Sequence, residues 1–359
     1  MSDALDLAIL DAGSDDHVVA LARSGADCAM AHLAFGKELK QLIEFRDWIK
    51  DAVLGSKAPP SSSELQGFGE QLFTFAFRDE ILELYERQPK EDVRVHIWSN
   101  RAEVQGLPWE YLQEPKKRRG PQRGRSVVRV VPTIGQVVPA PPALGPDIRV
   151  LFASAAPTDQ GEVEWEEVRD AVQRAFDVNL PDRVTLKLVD GADPKALRKA
   201  VADETFDIFH FSGHGQVSKD GKGQLVLVNR KTQKSEPLTA DQVCAILAGR
   251  GIRLVVLSAC LTASGNFNDD FSVISAALVR SGIPAVVANQ MPISNKTISP
   301  FVGELYGKLI KTGDIDLSMI EGRIALYSDL GVGKGASSGL EWGIPTLYRH
   351  YSGAQLYQP

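Results

Sequence analysis

Two rhythms of apolar and polar residues divide the chain. Beyond residue 146, apolar runs of five or six residues recur at Arg149 to Ala153, Val184 to Val189, Phe206 to Phe211, Arg253 to Ser258 and Ala285 to Asn289. Buried parallel strands are nearly continuous apolar runs of this length. Between them, Val163 to Phe176, Pro194 to Glu204, Ala240 to Ala248, Phe271 to Arg280, Ser299 to Lys311 and Leu317 to Tyr327 repeat apolar residues at helical spacing. The alternation predicts an α/β fold, a mostly parallel sheet flanked by helices. One connection departs from it: Gln224-Leu-Val-Leu-Val228 and the following Asn-Arg-Lys-Thr read as a hairpin off the sheet edge.

The first 145 residues are less regular. Leu5 to Leu10 and Val18 to Ala22 read as a hairpin around Gly13-Ser-Asp-Asp16, and Lys37 to Val53 and Ser63 to Arg87 as two helices. A strand at Val93 to Trp98, a short helix around Leu107-Pro-Trp-Glu-Tyr-Leu112 and a strand at Val127 to Pro132 follow. Val137 to Pro146 holds four prolines in ten residues, a stiff composition suited to a boundary. The expected division is therefore a smaller α+β domain over residues 1–145 and a mostly parallel α/β domain over 146–359. No internal repeat suggests a solenoid.

Composition narrows the function. The chain has 359 residues, 43% of them apolar, enough to fill a core in each of two domains. A formal charge of −6 disfavours a nucleic-acid partner or an anionic membrane surface. The local basic run Lys116-Lys-Arg-Arg119, with Arg123 and Arg125, has no interleaved aromatic residue to stack on bases and reads as a solvated loop, with a docking or cleavage segment as the other reading. Cys28, Cys244 and Cys260 cannot all pair within one chain, and no charged-then-apolar leader opens the sequence, so a reducing cytoplasm is expected. No apolar stretch approaches the roughly 20 residues of a membrane helix.

The candidate chemistry lies at two strand ends. His214 follows Phe206-Asp-Ile-Phe-His-Phe-Ser-Gly and Cys260 follows Ile252-Arg-Leu-Val-Val-Leu-Ser-Ala, 46 residues apart (260 minus 214). Open α/β sheets hold their chemistry just beyond the carboxyl ends of such strands, so the two are expected to meet as a cysteine nucleophile and its histidine. Gly213 and Gly215 are expected to let the backbone turn tightly around His214. The amides of Gly215 and Cys260 then become the oxyanion donors, one such donor being worth about 3 kcal/mol of barrier. Taken alone, either residue reads more readily as packing than as catalytic. Ser212 and Ser258 read as hydrogen-bonding support, His210 as core or support, and Cys28 and Cys244 as packing. Asp159, Asp269 and Asp270 follow the strand ends and are candidates for an acidic pocket that binds Arg or Lys of a substrate. Gly331-Val-Gly-Lys-Gly335 lacks the spacing and preceding strand of a phosphate loop, and no histidine or cysteine pair except His210 and His214 has ligand spacing. No metal or cofactor is expected.

At these motifs the sequence resembles the CHAT family, caspase-like domains related to separase. Leu107-Pro-Trp-Glu-Tyr-Leu112, the passage Ala276 to Ala288 and Trp342-Gly-Ile-Pro-Thr-Leu-Tyr348 extend the resemblance over roughly residues 65 to 350. The dyad spacing is similar to the caspase pattern of a histidine about 50 residues before the cysteine. The sequence departs from the family pattern at Gln290-Met291-Pro292, where an aromatic is usual, and at Asn295, where an acid is common. The resemblance implies a caspase-like fold, a nucleophile at Cys260, its histidine at His214, and hydrolysis of a protein substrate. It implies a separate activator protein or an upstream protease, in bacterial antiviral defence or regulated cell death. The competing expectation is a non-catalytic caspase-like interaction module.

Overall fold

The computed structural model describes residues 4–14, 17–34, 36–89, 93–117, 120–121, 125–133, 147–181, 183–219, 223–261, 270–331, 339–350 and 354–358. The chain forms two compact units, one of residues 1–130 and 323–344, the other of 131–322 and 345–359. The proline-rich stretch expected to mark the boundary falls at 137–146, outside the described residues.

The first unit opens with strands β1 (Leu5–Ser14), β2 (His17–Ser24) and β3 (Asp27–Ala34), then helices α1 (Gly36–Val53), α2 (Ser62–Ala76) and α3 (Asp79–Glu86). Strand β4 (Val93–Ser99), the single turn α4 (Ala102–Gln105) and strand β5 (Arg125–Val130) complete its first passage. The strand order is β5-β4-β1-β2-β3, with the β5–β4 and β4–β1 pairs parallel and the β1–β2 and β2–β3 pairs antiparallel. Strand β3 is absent from the sequence reading because its inward positions are small: Ala29, Ala31 and Leu33 are buried while Cys28, Met30 and His32 face solvent. Gly25, at a left-handed φ of 59°, makes the turn into it.

The helix expected from Ser63 to Arg87 is two helices. The chain leaves helical geometry at Phe77 (φ −114°, ψ 97°), and Asp79 takes a φ of 50°. The bend lets Tyr85 meet both Phe73 and Phe77 at ring separations of 5.0 and 4.7 Å, a packing that outweighs the lost helical hydrogen bonds. The Leu107–Leu112 segment is a 3₁₀ turn at Trp109–Tyr111 rather than an α-helix. Its polar side chains are engaged: Trp109 Nε1 donates to Val104 O at 2.8 Å, Tyr111 OH donates to Leu340 O, and buried Glu110 accepts two hydrogen bonds from Arg129 at 2.9 and 2.8 Å. Burial raises the Glu110 pKa, and the Arg129 guanidinium more than offsets it, so the carboxyl ends below its usual range.

The second unit contains β6 (Ile148–Ser154), α5 (Trp165–Asn179), β7 (Val184–Val189), α6 (Pro194–Asp203), β8 (Ile208–Val217), β9 (Gly223–Val228), β10 (Ser235–Thr239) and α7 (Ala240–Leu247). It continues through β11 (Leu254–Leu261), α8 (Asp270–Arg280), β12 (Ala285–Asn289), α9 (Asn295–Thr312), the start of α10 (Ile315–Gly331) and β13 (Pro345–Arg349). The order is β7-β6-β8-β11-β12-β13, parallel except for β13, with the β9–β10 hairpin on the end of β8. Phe209, Phe211, Val255 and Leu257 pack on Leu197, Val243, Leu247 and Leu278 from α6, α7 and α8. Helices α5 and α9 pack together, and Tyr306 of α9 meets His210, which by strand alternation belongs to the opposite face.

The parallel α/β architecture expected from the alternating runs is present. Two details differ. Helix α9 starts at Asn295, four residues before the expected Ser299, because Ser294 caps it by accepting from Thr297 N at 3.1 Å. Strand β13 escaped the sequence reading because it opens with Pro345 and carries Thr346 and Arg349, both buried.

Candidate functional site

Strands β8 and β11 run parallel in continuous register from Ile208↔Leu254 through Ser212↔Ser258 and Cys260↔His214 to Leu261↔Gly215. The backbones of Cys260 and His214 are therefore one strand spacing apart, about 4.8 Å, and register partners belong to the same face of a pleated sheet. The tight turn expected around His214 is absent. Strand β8 runs on to Val217, and where β6 stops at Ser212 the antiparallel β9 takes over, pairing Val226 with His214 and Leu225 with Gly215. Neither Gly213 nor Gly215 has a positive φ. Gly213 answers to space instead: a Cβ there would sit 2.7 Å from the Phe211 ring and 2.9 Å from Ala155 O.

The His214 side chain is buried, and its Nε2 lies 2.8 Å from Gly161 O. A carbonyl only accepts, so Nε2 is a protonated nitrogen that donates to it. Gly161 sits in the loop between β6 and α5, and that loop is fastened to the β9–β10 hairpin. Thr158 donates its N and Oγ1 to Gln233 O at 2.9 and 3.0 Å, and Gln160 Nε2 donates to Ser235 Oγ at 3.2 Å. Asp159 Oδ1 accepts from both Ser235 N and Ser235 Oγ at 2.8 Å. The Ser235 hydroxyl holds the exposed Asp159 carboxyl below its ordinary pKa.

Below His214 on the same face lies a buried polar ladder. Ser212 Oγ accepts from Asn295 Nδ2 at 3.1 Å; His210 Nε2 lies 3.0 Å from Ser258 Oγ and its Nδ1 3.0 Å from Tyr306 OH. Phe152 stacks on the His210 ring at 4.9 Å. Burial lowers the His210 pKa to about 3, so the ring is neutral at physiological pH. The supporting roles expected of Ser212, Ser258 and His210 correspond to these contacts. Asn295 and Tyr306 carry no local signal of this role in the sequence, because they come from α9, more than 80 residues beyond their partners on β8.

Several of the remaining candidates lie outside the described residues. Asp269 lies outside the described residues, as do the side chains of Cys260 and Asp270. Cys28, expected as packing, is exposed on β3, and Cys244 is half-buried in α7, where burial raises its pKa. Arg125 of the basic run is in β5, bonded to Glu114 at 2.7 Å and set over the Tyr85 ring; Arg119 and Arg123 lie outside the described residues. Residues 332–335 of the glycine-rich Gly331–Gly335 run also lie outside them. Among the described residues no group of three or more His, Cys, Asp or Glu side chains could hold a metal, and no helix is long and apolar enough to cross a membrane.

The family model of the CHAT domain matches residues 66–348. No curated protein matches the chain in sequence. Among solved structures, a chain of the Saccharomyces cerevisiae separase–securin complex is similar over 97% of this chain and 30% of its own, at 9% identity and a TM-score of 0.49. A secreted C11 cysteine protease from Bacteroides thetaiotaomicron, solved with an irreversible peptide inhibitor, is similar over 54% of this chain and 62% of its own, at 11% identity and a TM-score of 0.35. The chain thus spans less than two thirds of either.

Proposed function

The chain belongs to the CHAT-domain family and has a mostly parallel α/β sheet, and we propose that it is a caspase-like cysteine endopeptidase working through Cys260 and His214. The observation that carries this reading is their register partnership in the carboxyl-terminal parts of β8 and β11, just past the last β6 pairing at Ser212, on the side of the sheet where open α/β folds hold their chemistry. His214 takes the thiol proton on Nδ1, the nitrogen left basic when Nε2 donates to Gly161 O. The thiolate attacks the scissile carbonyl carbon, forming an S–C bond and moving the carbonyl electron pair onto oxygen. The Gly215 and Cys260 amides donate to that oxyanion. Collapse breaks the C–N bond; the amine leaves with the imidazolium proton, and a thioester remains. Water, deprotonated by His214, attacks the thioester and releases the carboxylate product and the thiol. Side chains and water supply every proton and electron pair.

The substrate in this proposal is a protein cut at a specific site, with release of activity by a separate protein or an upstream protease in bacterial defence or regulated cell death. Labelling by a peptide that carries a thiol-reactive electrophile tests the core of it. Wild type is labelled, Cys260→Ala and His214→Ala are not, and circular dichroism of both variants matches wild type. Undiminished labelling or cleavage in a folded Cys260→Ala variant eliminates the assignment. A P1 preference for Arg or Lys, read from a peptide library, is the expected specificity, and a preference for acidic or apolar P1 refutes it.

A further inference from the structure

The histidine is held by a closed circuit of structure. Strand β9 pairs with β8 at His214; β9 turns into β10; the hairpin grips the β6–α5 loop; and that loop returns the Gly161 carbonyl to the His214 ring. The hairpin turn is itself fixed, with Asn229 N donating to Lys234 O and Gln233 N to Asn229 O, both at 2.7 Å, and Asn229 Oδ1 accepting from Lys231 N and Thr232 N at 3.0 and 3.1 Å. By contrast the stretch from Ala155 to Glu164 has no regular secondary structure. Its side-chain anchors beside Gly161 are those of Thr158, Asp159 and Gln160 on Gln233 and Ser235.

We propose that Asp159 and Ser235 are positioning residues for His214: their paired hydrogen bonds fix the loop that aims the Gly161 carbonyl at Nε2, which sets the tautomer and tilt of the imidazole. Asp159 is thus engaged with the hairpin rather than with a substrate side chain. The inference rests on the Cys260–His214 reading for its catalytic consequence, and on geometry alone for its effect on the ring. A displacement of about 1 Å in a positioning group can cost up to about 100-fold in rate.

The test uses the full chain labelled with ¹⁵N-histidine, with His214→Gln to assign the His214 ring resonances, and the variants Asp159→Ala, Asp159→Asn and Ser235→Ala. At a pH where the ring is neutral, wild type shows one tautomer, protonated at Nε2. In Asp159→Ala and Ser235→Ala the ring resonances move toward a mixture of tautomers, whereas Asp159→Asn, whose amide oxygen still accepts from Ser235, stays near wild type. In parallel, inactivation by a peptidyl-arginine acyloxymethyl ketone is followed to saturation. Asp159→Ala lowers the maximal inactivation rate by between about 10- and 100-fold and changes the half-saturation concentration little, and Asp159→Asn recovers most of the rate. His214 resonances unchanged in both alanine variants overturn the proposal. So does a raised half-saturation concentration at constant maximal rate, the signature of a substrate-binding acid. If a folded Cys260→Ala variant is still labelled, the dyad reading fails, and the ring resonances still decide the clamp.

Discussion

The neutral His210 ring makes the second unit sensitive to acid in a window where few other groups titrate. Its folded pKa is about 3 against an ordinary 6.5, lowered by burial. Because the unfolded chain binds this proton far more readily, the contribution to stability is fully present above pH 6.5 and is lost as pH falls from there toward 3. Between pH 7.5 and 5 one such group removes about 2 kcal/mol, at roughly 1.4 kcal/mol per pH unit once below 6.5. Carboxylates stay largely ionised in both states over that interval, and His350, whose pKa is also lowered, is present in both proteins compared. The comparison is with His210→Gln, which keeps a polar side chain between Ser258 and Tyr306 and does not titrate. Amide hydrogen exchange of the β8 and β11 peptides, corrected for the intrinsic pH dependence of exchange, reads the local opening free energy. Wild type should lose about 2 kcal/mol more than the variant over this range. Parallel pH profiles for the two proteins would refute a buried, neutral histidine at this position.

Three further outcomes follow from packing. Gly213→Ala pushes a methyl group against the Phe211 ring and Ala155 O and should cost about 1–3 kcal/mol in thermal unfolding, with partial recovery in the Phe211→Leu background. Arg349 and Asp316 form a buried two-point ion pair at 2.8 and 2.7 Å; Asp316→Leu or Arg349→Met alone should cost about 3–5 kcal/mol in urea unfolding, and the double variant much less. Ser61→Ala removes the capping box with Glu64 at the start of α2 and should cost about 1 kcal/mol in melting experiments, with no change in labelling of Cys260.

The parallel sheet was legible because buried strands such as Leu254–Leu261 are continuous apolar runs, and the pairing of His214 with Cys260 was legible because both end such runs. Elements that depend on what they meet were not. Strand β3 is read as a strand only once β2 is beside it, since Ala29 and Ala31 give little apolar contrast. The break at Phe77 follows from the stacking of Phe73, Phe77 and Tyr85, which no helical period announces. At the site, the glycines suggested a turn; the chain there is a strand, and Gly213 is small because Phe211 and Ala155 occupy the space. The loop carrying Gly161 was invisible as a partner of His214 because its contact is a backbone carbonyl, which any residue supplies.

The first unit takes back residues 323–344 after the second has been laid down. Tyr111 donates to Leu340 O and packs against Trp342 at 5.0 Å. During synthesis the earlier-made unit is therefore finished late: Trp109 and Tyr111 emerge more than 200 residues ahead of the segment that covers Tyr111. The usual order, in which an amino-terminal unit folds while the rest is still being made, is not open to this architecture. A fragment of residues 1–145 should bind chaperones and be cut by proteases, where the full chain should not.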